Sequence, residues 1–267
     1  MQYKENQVRD VKRLNEKKRR RRKKRAAVFA VIFLFLSVIV FWILTQTVLF
    51  PIEQIVITGN SMYSVEEIAD ASLIKAGDKI FAVSEKQINN NITHTLPYVK
   101  TVDLKRTSFS SIKLSVTETV DVYCYNSNGK FITADRDNKL LASFDAQPTN
   151  TVLIKPDINF EHKIGYVLEI EEEKLKLINS IYDKLTEKEI AVNEIDLSKT
   201  ANIVVTIKNR FSVNFGTETD LDSKINHLTS MLVEIDAKNG NTCTGKIDLS
   251  AWSVTKREGY FEKSVNF

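Results

Sequence analysis

Residues 26–50 run for 25 positions without one charged side chain, and residues 1–25 before them hold 13 lysines and arginines against three acids. No other feature limits the fold as much. A helix rising about 1.5 Å per residue carries this stretch roughly 37 Å, enough to cross a hydrocarbon core of about 30 Å with some tilt. The apolar core of a cleavable leader is only about 7–15 residues and ends in small side chains. Here the run continues through Trp42 and Ile43 to Phe50, so it reads as a retained anchor over 26–50. Pro51 follows, and its fixed φ and missing N–H stop a helix there.

The charge balance gives the anchor a direction. Residues 1–25 are net +10, and the rest of the chain, with 25 basic residues against 31 acidic, is net −6. Basic residues abutting a span stay on the cytoplasmic side, so residues 1–25 are expected inside and 51–267 outside. The competing reading of Lys17–Arg25 is a phosphate-binding patch. No aromatic residue interleaves Lys4–Arg25, and no zinc or helix-turn-helix pattern accompanies it. Orientation and attraction to anionic lipid account for the block, and no specific nucleic-acid partner is expected.

The outer region opens with a strand over 52–58, then Gly59-Asn60, a turn dipeptide. Ser64-Val65-Glu66-Glu67 has the spacing of a capping box, and Val65, Ile68, Ala69 and Leu73 recur on one helical face, with Gly77 closing the region. Ser84-Glu85-Lys86-Gln87 starts a second helix with Ile88, Ile92 and Leu96 on one side and Pro97 at its end. Strands over 99–106 and 112–122, joined at 107–111, complete a β-α-α-β-β module of about 70 residues. Two short amphipathic helices are enough to cover one face of a three-stranded sheet.

From Val120 the pattern becomes a longer α+β domain. Strands are expected at 120–125 and 130–134 around Asn126-Ser127-Asn128-Gly129, then at 140–144 and 151–154. A helix over 171–185 turns Leu175, Ile178, Ile181, Tyr182 and Leu185 inward. Ile195-Asp196-Leu197-Ser198 is echoed 52 residues on by Ile247-Asp248-Leu249-Ser250, each after a helix, the second over 220–235. Strands over 203–207 and 211–215 lie between them as a hairpin. The economical arrangement is two helices on one antiparallel sheet, the echo being either a degenerate duplication or two similar solutions to one packing problem. Residues 251–260 read as a last strand, either interior or at an edge where its free backbone groups template strand addition.

A search for catalytic settings finds no G-x-S-x-G, S-x-x-K, H-E-x-x-H, P-loop or Gly-rich dinucleotide turn. Cys124 falls in a strand as a buried thiol, whereas Cys243 lies in the polar loop 239–244 and reads as exposed; free thiols are expected, with a disulfide between them left open. His94, His162 and His227 are scattered, with no zinc spacing. Glu171-Glu172-Glu173 opens a helix, where the dipole favours negative charge, and Asp135 and Asp137 suit a turn. No catalytic, metal-binding or cofactor-binding residue is assigned, and no enzyme activity is expected.

The basic tail, single span and β-α-α-β-β module followed by an α+β domain together resemble the FtsQ/DivIB family of bacterial cell-division proteins. The resemblance is carried by Ile55-Val56-Ile57-Thr58-Gly59-Asn60, Ser64–Ile68, Leu96-Pro97-Tyr98-Val99-Lys100, Val102–Arg106 and Leu114–Glu118, which look like that family's polypeptide-transport-associated (POTRA) domain. Downstream it is carried by Arg210–Gly216, Lys224–Leu228 and Gly245–Ser250. The chain departs from the family at the hairpin 108–111, which lacks a common proline, and at Thr119-Val120, where a basic-Pro pair is usual.

The resemblance implies five segments: a cytoplasmic tail 1–25, the span 26–50, a POTRA domain 51–119, a second domain 120–257 and a short tail 258–267. It also implies a non-enzymatic scaffold at the division septum, binding FtsB/DivIC-like and FtsL-like partners and helping to control the septal peptidoglycan synthase. The implied mode is strand addition to the last strand, at Trp252, Ser253, Val254, Thr255 and Lys256, with Ile247, Asp248, Leu249, Ser250 and Ala251 beside it. Trp252 and Tyr260 are then aromatic anchors. The alternative is a membrane-anchored cell-wall enzyme or envelope sensor.

Overall fold

The computed structural model describes residues 24–44, 50–157, 163–199, 202–253, 255–256 and 258–264. Helix α1 (Lys24–Leu44) is apolar and long enough to cross a membrane, about 31 Å at the helical rise. The chain beyond it is α+β, as the periodicities indicate. Its elements run β1 (Gln54–Thr58), α2 (Val65–Ser72), α3 (Glu85–Thr95), β2 (Val99–Arg106), β3 (Ser111–Glu118), β4 (Tyr123–Ser127), β5 (Lys130–Ala134), β6 (Leu140–Phe144) and β7 (Val152–Lys155). They continue with α4 (Glu172–Glu187), β8 (Val192–Lys199), β9 (Asn202–Ile207), β10 (Phe211–Gly216), α5 (Leu221–Asn239), β11 (Gly245–Asp248) and β12 (Tyr260–Lys263).

The described chain forms two compact units. The first holds residues within Met1–Val56, together with Ile74–Gln87 and Leu104–Leu114. Its core is Ile52, Ile80 and Ile112, flanked by Phe50, Ile55, Ile74 and Val83. Phe50, counted with the span on hydropathy alone, packs into this core, and its carbonyl accepts the Ile80 N–H at 3.1 Å. The Arg106 guanidinium donates to the Ile80 and Val83 carbonyls at 3.0 and 2.8 Å, closing the loop 80–83.

The second unit holds Ile57–Leu73, Ile88–Asp103 and Ser115–Phe267. Ser64 caps α2 as its spacing predicts: the Ser64 hydroxyl accepts the Glu67 N–H at 3.2 Å and the Glu67 carboxylate accepts the Ser64 N–H at 2.8 Å. The buried face of α2 is Ile68, Ala71 and Ser72, whereas Val65 and Leu73 are exposed. This differs from the expected stripe because α2 lasts only eight residues and ends in Leu73, which adopts φ 59° four positions before Gly77. Strand β3 stops at Glu118, short of the expected 122.

The strand orders are β1-β3-β2 in the smaller sheet and β12-β11-β10-β9-β8-β7-β4-β5-β6 in the larger. The larger sheet is mixed rather than wholly antiparallel, with β4/β7, β7/β8 and β10/β11 parallel. Crossover helices require this, because a strand that returns after a helix on the sheet face re-enters in the same direction. Thus β7-α4-β8 and β10-α5-β11 are two β-α-β units, and the echoed tetrapeptides are their closing strands. In both the aspartate folds back identically: Asp196 Oδ1 accepts the Ser198 N–H at 2.8 Å and Asp248 Oδ1 the Ser250 N–H at 2.8 Å. Ile178, Ile181 and Leu185 of α4 and Ile225, Leu228 and Leu232 of α5 share one core with the inward side chains of the strands.

Candidate partner-binding edge

Strand β11 pairs parallel with β10, bringing Val213 opposite Ile247, and antiparallel with β12, bringing Ile247 opposite Phe261 and Asp248 opposite Tyr260. Alternation along β11 buries Gly245 and Ile247 and exposes Lys246 and Asp248. Gly245 is required by close approach, since a Cβ there would lie 2.3 Å from the Glu262 carbonyl oxygen. Phe261 meets Phe211 edge-on at 6.0 Å, which fixes β12 on the sheet.

Between β11 and β12 the chain leaves the sheet. Ser250 and Ala251 are exposed, and Ser253, Thr255 and Lys256 form a polar turn in which the Ser253 hydroxyl accepts the Lys256 N–H at 3.2 Å. Trp252, expected as a surface anchor in a strand, is in no strand. It is 8% exposed, belongs to the core and stacks on His227 of α5 at 5.8 Å. Gly259 closes the excursion against Leu249, Met231 and His227. Val254 lies outside the described residues. The strand expected over 251–260 is therefore displaced to β12, within the stretch read as a tail. Its sequence signal was the pair Tyr260-Phe261 directly after Gly259, since aromatic residues suit a pleated half-buried strand.

Of the residues singled out by sequence, the fold brings Ile247, Asp248 and Tyr260 together across β11 and β12, and sends Leu249 and Trp252 inward. Phe261 and Lys263 were missed. The Ser264 N–H donates to the Thr244 carbonyl at 2.9 Å, and an antiparallel ladder alternates, so Tyr260 and Glu262 direct their backbone groups at β11. Phe261 and Lys263 direct theirs outward from the edge. Tyr260 is 63% exposed on the open face, where a groove of 480 Å³ is lined by Asn214, Lys246, Asp248, Tyr260 and Glu262 among others.

Cys243 is buried, correcting its expected exposure; the loop folds under Arg210, whose Nε donates to the Cys243 carbonyl at 2.8 Å. Burial pushes the Cys124 thiol up to about 11, with a hydrogen bond from Thr151 acting the other way, so the nucleophilic thiolate is scarce at neutral pH. Among the described residues no cluster of His, Cys, Asp and Glu has the spacing of a metal site. His162 lies outside them.

An apolar helix ahead of two α+β units, one ending in an open strand, defines a membrane-anchored protein with a surface suited to protein contacts. Residues 50–119 match the family model of the POTRA domain, FtsQ-type. Cell division protein DivIB of Clostridium acetobutylicum is 28% identical over 207 residues, covering 75% of this chain and 80% of that protein. DivIB of Clostridium botulinum is 25% identical over 82% of this chain and 86% of its own length. Cell division protein FtsQ of Streptomyces venezuelae is 30% identical over 41% of this chain and 40% of its own. The chain belongs to the FtsQ/DivIB family of bacterial cell-division proteins.

Proposed function

We propose that this chain is a bitopic scaffold of the division machinery, with its basic tail in the cytoplasm and its folded part outside, at the septum. In this reading it acts without catalysis. Strand β12 receives an extended segment of an FtsB/DivIC-like protein that is itself paired with an FtsL-like protein, and this contact helps control septal peptidoglycan synthesis. The observation that carries the reading is the outward edge of β12: Phe261 and Lys263 present free ladder groups beside an exposed Tyr260, a template for β-augmentation. The division-protein relatives and the basic block at the foot of α1 support the setting and the direction.

The test uses the full chain and a peptide from the segment that follows the coiled coil of the cognate DivIC-like protein. Lys263→Pro removes an outward N–H and leaves the β11 ladder intact, so the fold persists and affinity falls at least about tenfold. Glu262→Pro removes an inward donor and detaches β12, abolishing binding. Unchanged affinity for Lys263→Pro would rule out pairing at this edge.

A further inference from the structure

Three phenylalanines stand together close to the end of the span. Phe50 stacks on Phe109 with centroids 4.9 Å apart and meets Phe81 edge-on at 5.5 Å. Phe109 is 68% exposed and Phe81 40%. The hydrophobic effect opposes presenting these rings to water, and the nearby core of Ile52, Ile80 and Ile112 is closed without Phe109.

The rings are held where they are by backbone. The Ile80 N–H donates to the Phe50 carbonyl, and the Ile52 N–H to the Asp78 carbonyl at 2.8 Å, which ties the Phe81 loop to the segment after the span. The Glu53 N–H donates to the Ser110 carbonyl at 2.8 Å, which ties the hairpin tip carrying Phe109 to the same segment. Leu44, the last residue of α1, is six residues before Phe50, a reach of at most roughly 22 Å even when extended. A bilayer crossed by α1 is thus within reach of the cluster.

Charge points the same way. Residues 50–56, 74–87 and 104–114 hold six basic side chains (Lys75, Lys79, Lys86, Lys105, Arg106, Lys113) and three acidic ones (Glu53, Asp78, Glu85), net +3 inside an outer region of net −6. Two of those acids are engaged with backbone: Asp78 accepts the Lys75 N–H at 2.7 Å and Glu85 the Leu104 N–H at 3.2 Å. Aromatic rings with lysine and arginine beside them are the side chains that anchor proteins at a headgroup boundary, and anionic lipid adds to the attraction.

We propose that Phe50, Phe81 and Phe109 insert into the headgroup and acyl boundary of the bilayer that α1 crosses, fixing the first unit against the leaflet from which the chain emerges. The occupant is lipid. The proposal rests on the membrane anchor and is independent of the β12 edge.

The test reconstitutes the full chain in vesicles of phosphatidylcholine and phosphatidylglycerol. Ser108→Cys beside Phe109 carries an NBD fluorophore, the native thiols being buried. With nitroxide lipids labelled near the headgroup, the emission is expected to be blue-shifted and quenched several-fold more than when Phe81→Asp and Phe109→Asp are both present. Phe109→Asp alone, at an exposed hairpin tip, gives the same comparison if the double variant unfolds. Equal quenching with and without the acidic substitutions would mean that the short tether alone brings the hairpin near, and would overturn the proposal. Absence of quenching in the parent protein would overturn it too, as would failure of the chain to float with the vesicles.

Discussion

Glu118 shows what a single side chain does for the first turn of the POTRA module. Its carboxylate accepts the N–H groups of Ser61 and Met62, each at 3.0 Å, and the Ser61 hydroxyl at 2.5 Å. Gly59 lies alongside, at φ +87°, where a Cβ would stand 2.2 Å from the Val116 carbonyl oxygen. Gly59-Asn60 and Val116-Thr117-Glu118 carried the family resemblance as separate strings, and in space they are one contact. Gly59→Ala is expected to destabilise the fold by roughly 2–3 kcal/mol through backbone strain and clash. Glu118→Gln should cost about 1–2 kcal/mol, the difference between charged and neutral acceptors; both are read from urea midpoints.

Burial raises the Glu118 pKa, but hydrogen bonds from Ser61, Met62 and Tyr63 outweigh it, so the net shift is downward. The stabilisation is therefore complete above the ordinary value of 4.5 and is lost as pH falls through the lowered one. Lys139 has the opposite dependence. It is buried, its Nζ donates to the Val99 carbonyl at 2.6 Å, and burial lowers its pKa from 10.5 to about 8, with Asp135 opposing. Below about 8 both folded and unfolded chains carry the proton and the desolvation penalty is complete. Between about 8 and 10.5 the unfolded chain binds more protons, so stability should rise with pH across that window. Lys139→Met should flatten this rise in denaturation curves taken at successive pH values.

At the scale of elements, Arg210 joins the end of α5 to the β10 and β11 strands. Its guanidinium donates to Asp236 Oδ1 at 2.6 Å and to the Cys243 carbonyl at 2.8 Å, and lies 4.7 Å from the Phe211 ring centroid. Lys224 does the like at the other end, donating from a buried Nζ to the Phe215 and Thr217 carbonyls at 2.7 and 3.0 Å. Both residues stood in the strings that resembled the family, with no role legible there, because a carbonyl 9 or 33 positions away leaves no local pattern. Arg210→Ala is expected to cost about 2 kcal/mol, and Arg210→Lys to recover only part of it, since an ammonium cannot reproduce the planar fork. Thermal unfolding of the full chain in detergent measures both. The helices and most strands were legible from period and turn chemistry: β2, β5 and β6 begin and end where alternation and turn residues place them. The place of β12 was not, because four residues give too short a period to outweigh the apolar Trp252 upstream, which the fold uses as core.

For the molecule as a whole, charge asymmetry about α1 gives the most direct prediction. A tag after Phe267 should be reachable only from outside intact cells, and a fluorescent fusion should concentrate at the septum; a tag reachable only from the cytosol would reverse the orientation. The sequence by itself determined the anchor, its polarity, the two α+β modules and the family, since these rest on local composition, short periods and strings that survive in isolation. Only the tertiary structure decided which strand is the open edge, that Trp252 lies inside while Phe109 stays outside, and that the echoed tetrapeptides close two β-α-β crossovers. Those outcomes depend on which distant segments share a ladder or a core, and a hydrogen bond or a buried contact between residues far apart in the chain is specified by both partners at once.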